Sequence, residues 1–354
     1  MFNELINEIS KDIQKHEQRN RLRTTEEQSR FEYAVKYILT DLWKACYSIP
    51  IRECSINLRS GYYSENPRYR DPQLTYRQVK SVFDALIAMR QIEITRDGYY
   101  DKIKMEGSLT CFVARDELLE RLQNLEGHPA ISLKPNLDRE CILLRNTIEG
   151  RRQLESYDET AQTENYKTNL QKINMCFSKH WADLKIKDSE IPVLESRLHA
   201  HEDKNPIDLS SRTLIRIFSN GSFKEGGRFY RGWWQNVPIE YRKHITLDGK
   251  KTAEYDFSQL NPHMIYFAYN KEMGSDDAYD RVLDGDHRDI VKQAFNAMIQ
   301  ANGPLNQKPR DINLDGLEMN WKDLRQRILD AHKPIQHLFF DGLGNKLQFE
   351  DSCI

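Results

Sequence analysis

The chain has 354 residues, with 52 Lys and Arg against 54 Asp and Glu, for a formal net charge of −2. That length suits two or three domains, and the near-balance of charge excludes a globally basic protein, so any surface for nucleic acid must be local. Charged residues reach 30%, but 17 Tyr, 14 Phe and 5 Trp exclude a disordered chain. None of the six cysteines stands at Cys-x-x-Cys spacing, which reads as reduced thiols and not as a disulfide frame or zinc site. With no apolar leader and no run of membrane-spanning length, the expectation is a cytoplasmic protein with no membrane partner.

In chain order, residues 1–23 predict an amphipathic helix, with Phe2, Leu5, Ile6, Ile9 and Ile13 recurring at three- and four-residue steps. A second helix begins at the capping-competent Thr25, carries the stripe Phe31, Ala34, Val35, Ile38, Leu39 and Leu42, and stops at Pro50. A short strand over 54–58 and a polar loop follow. Thr75 then caps a helix over 76–90, with Val79, Val82, Phe83, Leu86 and Ile87 on one face. Strands at 92–95 and 109–113, with a turn at Asp97-Gly98, and a helix at 116–125 close the unit.

That order of helices and hairpin is the order of a winged helix over residues 1–126. Arg70, Arg77, Lys80 and Arg96 would line its recognition helix and wing, where phosphate contacts position such domains on duplex DNA. The same residues also fit an ordinary α+β subdomain with a solvated basic face, or a surface for another protein.

Residues 127–135 read as a linker, and 138–187 as polar helix, so that 127–210 forms a helical connecting region. It could be a thumb-like grip on duplex or a solvated spacer. The His199-Ala-His201-Glu202-Asp203 cluster has poor spacing for one helix face and reads as a surface loop, not a metal site. An apolar segment at 211–218 bears Arg212 and Arg216, either of which could face phosphate or pair with acids.

The stretch 226–242 is aromatic and basic. After it, residues 252–255 predict a buried strand that ends on Asp256, followed by Ser258, Gln259, Asn261 and a helical apolar run at 264–268. An acid where a strand opens into a helix suits metal-bound chemistry, and it suits a plain helix N-cap equally well. After a break at 274–277, a helix over 286–301 places Arg288, Lys292, Asn296 and Gln300 four apart on one polar stripe. Two cations followed by two amides suit a triphosphate and then a base or sugar; the bland reading is an exposed basic face. A loop at 304–315, a helix at 321–331 and another at 335–340 complete the pattern.

The segment from about Arg212 to Gln300 resembles the polymerase module of family A DNA polymerases and their single-subunit RNA polymerase relatives. The resemblance rests on Gly227-Arg228, then Gln235-Asn236-Val237-Pro238, then Arg242, then Asp256-Phe257-Ser258-Gln259-Leu260, and on Arg288 and Lys292 in the later helix. It implies that Asp256 is the motif A aspartate that binds magnesium, and that Arg288 and Lys292 contact a nucleoside triphosphate. It further implies that Asn296, Gln300, Gln259 and Asn261 lie along the substrate, while Arg228, Arg231, Gln235, Asn236 and Arg242 face template or primer. Asn261 stands where the family's DNA polymerases carry a glutamate that blocks the ribose 2′-hydroxyl, so the resemblance does not choose between DNA and RNA synthesis. No His-Asp follows Gln300, and Glu350-Asp351-Ser352 is the only echo of motif C.

The expectation is therefore an α+β protein with a winged-helix-like domain, a helical region, and a partial palm and fingers over 211–354. It would be a nucleotidyltransferase-like polymerase module of a phage or plasmid-like element, and with motif C missing its half-palm would be a relic, a truncated gene product or a partner to a second polypeptide. The alternative is a non-catalytic DNA-binding replication or regulatory protein.

Overall fold

The computed structural model describes residues 1–17, 19–48, 51–101, 106–199, 207–283, 287–315, 317–344 and 346. The fold is α+β. In chain order its elements are α1 (Phe2–Glu17), α2 (Thr25–Cys46), β1 (Cys54–Ile56), α3 (Tyr76–Ala88), β2 (Ile92–Arg96), β3 (Tyr99–Asp101), β4 (Glu106–Ser108) and β5 (Thr110–Ala114). Then come α4 (Asp116–Gln123), α5 (Pro129–Ser132), β6 (Ile142–Ile148), β7 (Arg151–Leu154), α6 (Ala161–Ser178), β8 (Ala182–Leu184), α7 (Ile191–His199), β9 (Ile215–Ser219) and β10 (Ser222–Tyr230). The remainder is α8 (Ile239–Arg242), β11 (Ile245–Leu247), β12 (Lys250–Lys251), α9 (Leu260–Ala268), α10 (Arg288–Gln300) and α11 (Trp321–Ala331). Among the described residues no helix is long and apolar enough to cross a membrane.

The chain forms two compact units that share it in alternation. One holds Met1–Cys141, Glu164–Leu214 and Arg231–Thr252; the other holds Ile142–Thr163, Ile215–Tyr230 and Ala253–Ile354.

In the first unit the helices form where the apolar period demands. Thr24 caps α2 in a capping box: its side chain accepts from the Glu27 amide at 3.2 Å, and the Glu27 carboxylate accepts from the Thr24 amide at 3.1 Å. Thr75 caps α3. Ile9 and Ile13 of α1, Phe31, Ile38 and Leu42 of α2, and Val82, Phe83 and Leu86 of α3 meet in one core with almost no exposure. Full burial of each such side chain contributes about 1.5–3 kcal/mol. The core is roofed by an antiparallel sheet in the order β1-β5-β2, with Phe112 of β5 opposite both Cys54 and Ile94. Phe83 meets Phe112 edge-on at 5.1 Å, which ties α3 to the sheet. β3 and β4 pair as a separate two-stranded ribbon, Tyr99 opposite Ser108. The same unit carries a small sheet, β12-β11-β8. Here Asn174 on α6 imitates a strand, accepting from the Leu214 amide at 2.7 Å and donating to its carbonyl at 2.9 Å.

The second unit has a sheet in the order β10-β9-β6-β7. β6 runs parallel to β9, with Leu143 opposite Ile217, and antiparallel to β7. This corrects the expectation of helix over 138–187: residues 142–154 are a hairpin, and α6 begins only at Ala161. The turn is Glu149-Gly150, both at positive φ (51° and 76°), the geometry that two-residue hairpin turns require. β10 pairs with β9 through a bulge at Gly226 and Gly227, both at positive φ. The buried Arg216 donates its Nε to the Gly227 carbonyl at 2.7 Å, and Arg212, buried in the first unit, lies over the Trp181 ring. Both arginines therefore turn inward. The helices α9, α10 and α11 pack around Phe295 and His332.

A second correction concerns 252–255. No strand forms there; β12 ends at Lys251, and the chain through Asp256 is irregular and exposed, with Tyr255 94% exposed. Ala253 and Tyr255 are left exposed there, because the segment pairs with no sheet beyond the two-residue β12. Residues 201–203 of the histidine cluster, and Glu350-Asp351-Ser352, lie outside the described residues.

Candidate functional site

The second unit gathers several of the residues that the sequence singles out. The chain leaves Asp256 and turns into α9 at Gln259, which has φ +56° and stands at the N-cap position without a side-chain cap bond. Asp256 is thus not the cap of this helix. Its carboxylate is exposed and accepts no hydrogen bond among the described residues. Pro262 sits in the first turn of α9, where its missing N–H costs nothing.

Gln259 reaches a loop at 276–280. Its Oε1 accepts from the Ala278 amide at 2.6 Å. The Ala278 carbonyl accepts from His332 Nε2 at 2.9 Å, so both backbone groups of Ala278 are held by side chains. Because a carbonyl only accepts, Nε2 carries the proton. Nδ1 then accepts from the Tyr266 hydroxyl at 3.0 Å. His332 is fully buried, and burial pushes its pKa down to about 4, leaving it neutral at physiological pH.

The same loop holds Arg288. Asp277 Oδ2 accepts from Arg288 Nε at 3.2 Å and from a terminal guanidinium nitrogen at 2.9 Å, while Oδ1 accepts from the amides of Tyr279 and Asp280. Burial would raise the Asp277 carboxyl, but these hydrogen bonds outweigh it and hold the pKa below the usual value. The hydrogen bond to Asp277 in turn raises Arg288, which also lies over the Tyr279 ring at 5.2 Å.

One turn apart along α10 the stripe alternates in its engagement. Lys292 is exposed and makes no ion pair among the described residues. Asn296 is half-buried and accepts from Asn261 Nδ2 at 2.8 Å, which joins α9 to α10. Gln300 is exposed, and the chain at Gly344 lies against its side chain. The structure thus connects Gln259, Asn261, Arg288 and Asn296 through direct contacts or the shared loop, and leaves Asp256 and Lys292 as open charges. Asp277 and His332, which organise this frame, were missed in the sequence. The only signal for either was a lone histidine at the end of an amphipathic helix and an Asp-Asp pair in a break.

The residues assigned to nucleic acid divide between the units. Arg228 lies exposed on β10 of the second unit. The others belong to the first. Arg231 is exposed at φ +86°, Gln235 accepts from the Gly232 amide at 3.1 Å, and Asn236 is half-buried in a 3₁₀ turn. Arg242 donates to the Val237 carbonyl at 3.1 Å. The tryptophans of this stretch are structural: Trp233 is buried and Trp234 meets Phe177 edge-on at 5.3 Å. On α3, Arg77 stands 3.7 Å from Glu27 and is largely exposed, and Lys80 binds Asp84 at 2.6 Å.

Among the described residues no three His, Cys, Asp or Glu side chains converge as a metal-sized group. Asp256 offers a single open carboxylate, one ligand of the several that a magnesium ion takes. No known protein family, curated protein or solved structure matches the chain.

Proposed function

We propose that the second unit is a template-directed nucleotidyltransferase-like module of the family A polymerase type, working in replication of a mobile element. In this reading Asp256 holds magnesium, which supplies charge neutralisation at a triphosphate when bound. Lys292 and Arg288 take the triphosphate, while Asn261, Gln259, Asn296 and Gln300 frame sugar and base. One observation carries the reading: the segment after Asp256 and the helix bearing Arg288 are joined by the Asn261–Asn296 hydrogen bond and by the common loop at 276–280. The resemblance rests on residue types and their order, and neither requires those two segments to touch.

The first unit fits a winged-helix-like DNA-binding domain. What supports this is the run of α2, β1, α3 and then a hairpin, with the strand order β1-β5-β2. Arg77 and Lys80 on α3 would meet phosphate. A second reading, a DNA-binding replication or regulatory protein without catalysis, is favoured by the engagement of Arg288 with Asp277 and by the single open carboxylate.

The experiment is magnesium-dependent binding of a fluorescent nucleoside triphosphate to the full chain, compared with Asp256→Asn and Lys292→Ala. Binding that needs magnesium and is weakened about tenfold or more in both variants is the expected result. Duplex DNA binding that is salt-sensitive and lost with Arg77→Ala and Lys80→Ala, with no nucleotide binding, would establish the second reading instead.

A further inference from the structure

The first unit contains a cavity of about 430 Å³, within the size range of small-molecule sites. Its wall is largely apolar, with Leu184, Ile186 and Leu194 among the side chains that line it. Its charged groups are mostly satisfied by one another. Lys44 pairs with Asp208 at 2.5 Å, and Asp208 also accepts from the amide and hydroxyl of Ser210 and from the hydroxyl of Ser211. Arg52 pairs with Glu195 at 2.7 Å, both side chains being mostly buried. Asp41 is left over. It lines the cavity, makes no ion pair, and accepts no hydrogen bond among the described residues.

We propose that this cavity binds a small organic cation, an amine on an apolar body, with the ammonium held by Asp41 and the body against the apolar wall. The two neutral pairs, Lys44–Asp208 and Arg52–Glu195, leave the cavity with unbalanced negative charge at Asp41, and Glu53 lines it as well. A half-buried carboxylate without a partner is costly, and a cation that brings its own hydrogen-bond donors removes that cost. An anion would meet Asp41 with no free cation to offset it, because each cation of the lining is already paired. Burial pushes the Asp41 carboxyl up to about 6, against the opposing influence of Lys44 and reinforced by Asp208. It is therefore ionised at pH 7.5 and largely protonated at pH 5. The titratable groups that act on it are Lys44 and Tyr37 on its own helix, Cys54 from β1 and Asp208; Glu53 and His128 also line the cavity, and burial lowers the His128 pKa. This site is independent of any polymerase role.

The test uses benzylamine as probe, with benzyl alcohol as its neutral counterpart, followed by ligand-observed NMR and thermal unfolding of the full chain. Benzylamine should bind at pH 7.5. It should weaken about tenfold or more in Asp41→Asn and by a similar factor at pH 5, while benzyl alcohol binds more weakly and changes less than twofold. Ala45→Phe, which intrudes on the cavity, should remove both. If Asp41→Asn fails to fold, the pH comparison and Ala45→Phe decide. Equal binding of the amine and the alcohol, unchanged amine binding in Asp41→Asn or at pH 5, or no binding of either probe at millimolar concentration overturns the proposal.

Discussion

The side-chain amide of Asn261 donates to the side-chain oxygen of Asn296 at 2.8 Å, across 35 residues of sequence. It is a polar clasp between α9 and α10, and both side chains are partly withdrawn from water. A hydrogen bond of this kind contributes about 0.5–1.5 kcal/mol, and leaving one partner unpaired costs somewhat more. Asn261→Ala and Asn296→Ala should each cost about 1–2 kcal/mol. Because both remove the same bond, the double variant should cost less than their sum by about 0.5–1.5 kcal/mol. Urea unfolding of the four proteins measures this. Additive effects would show that the clasp contributes nothing.

His332 should make the second unit sensitive to acid. Its pKa is 6.5 in an unperturbed chain and about 4 in the fold. Between those values the unfolded chain binds more protons than the folded one, so stability falls as pH drops through this window. The full effect is about 3 kcal/mol between pH 7 and pH 4. His332→Gln should be less stable at pH 7, having lost the pair of bonds to Tyr266 and Ala278, but should lose less stability on acidification. Parallel stability profiles for the two proteins would show that His332 is not the group that titrates.

Much of the helical architecture was legible because it depends on local signals. The Thr24 capping box, the Thr75 cap and the three- and four-residue apolar steps fix the starts of α1, α2 and α3 to within a residue, whereas α1 ends at Glu17, short of the expected 23, and α2 ends at Cys46, ahead of Pro50. The stripe on α10 was likewise readable from its period of four. What was not legible depends on partners remote in sequence. Ile142, Leu143 and Leu144 form one apolar run that fits helix or strand equally, and only the parallel pairing with β9 decides it. Glu149-Gly150 was the available turn signal. The reverse error occurred at 252–255, where strand propensity had no sheet to join. In the site, the residue types at Gln259, Asn261, Arg288 and Asn296 could be read in advance. The loop that links them could not, because Ala278 acts through its backbone alone.

The bulge in β10 should tolerate no side chain. Gly226 is buried at φ +77°, and an added Cβ would stand 2.8 Å from Ser219 Oγ and 3.1 Å from its amide nitrogen. Left-handed backbone costs a residue with a Cβ about 1–2 kcal/mol, and relieving the contact adds to this. Gly226→Ala should therefore destabilise by about 2–4 kcal/mol. Gly150 has almost the same φ, +76°, with nothing within 4 Å of a Cβ. Gly150→Asn should cost less than about 1 kcal/mol, since asparagine accepts this conformation in turns. Thermal unfolding compares the pair, and similar losses at both positions would remove the role assigned to crowding at the bulge.

Arg288 and Lys292 differ in what they are free to do. Arg288 is tied to Asp277, whose carboxyl is held below its usual pKa, whereas Lys292 stands exposed and unpaired among the described residues. The folded pKa of Asp277 is depressed, so its contribution to stability is present above the ordinary carboxylate range and is lost as pH falls below it. Asp277→Asn should destabilise at pH 7 by about 1–3 kcal/mol, the worth of a charge-assisted hydrogen bond, and the difference from wild type should shrink below about pH 4. A triphosphate must compete with Asp277 for Arg288 but meets no such competitor at Lys292. Lys292→Ala should then weaken triphosphate binding about tenfold while Arg288→Lys weakens it less than about threefold. The opposite ranking would mean that Arg288 leaves Asp277 when nucleotide arrives, and that the loop at 276–280 changes its contacts on binding.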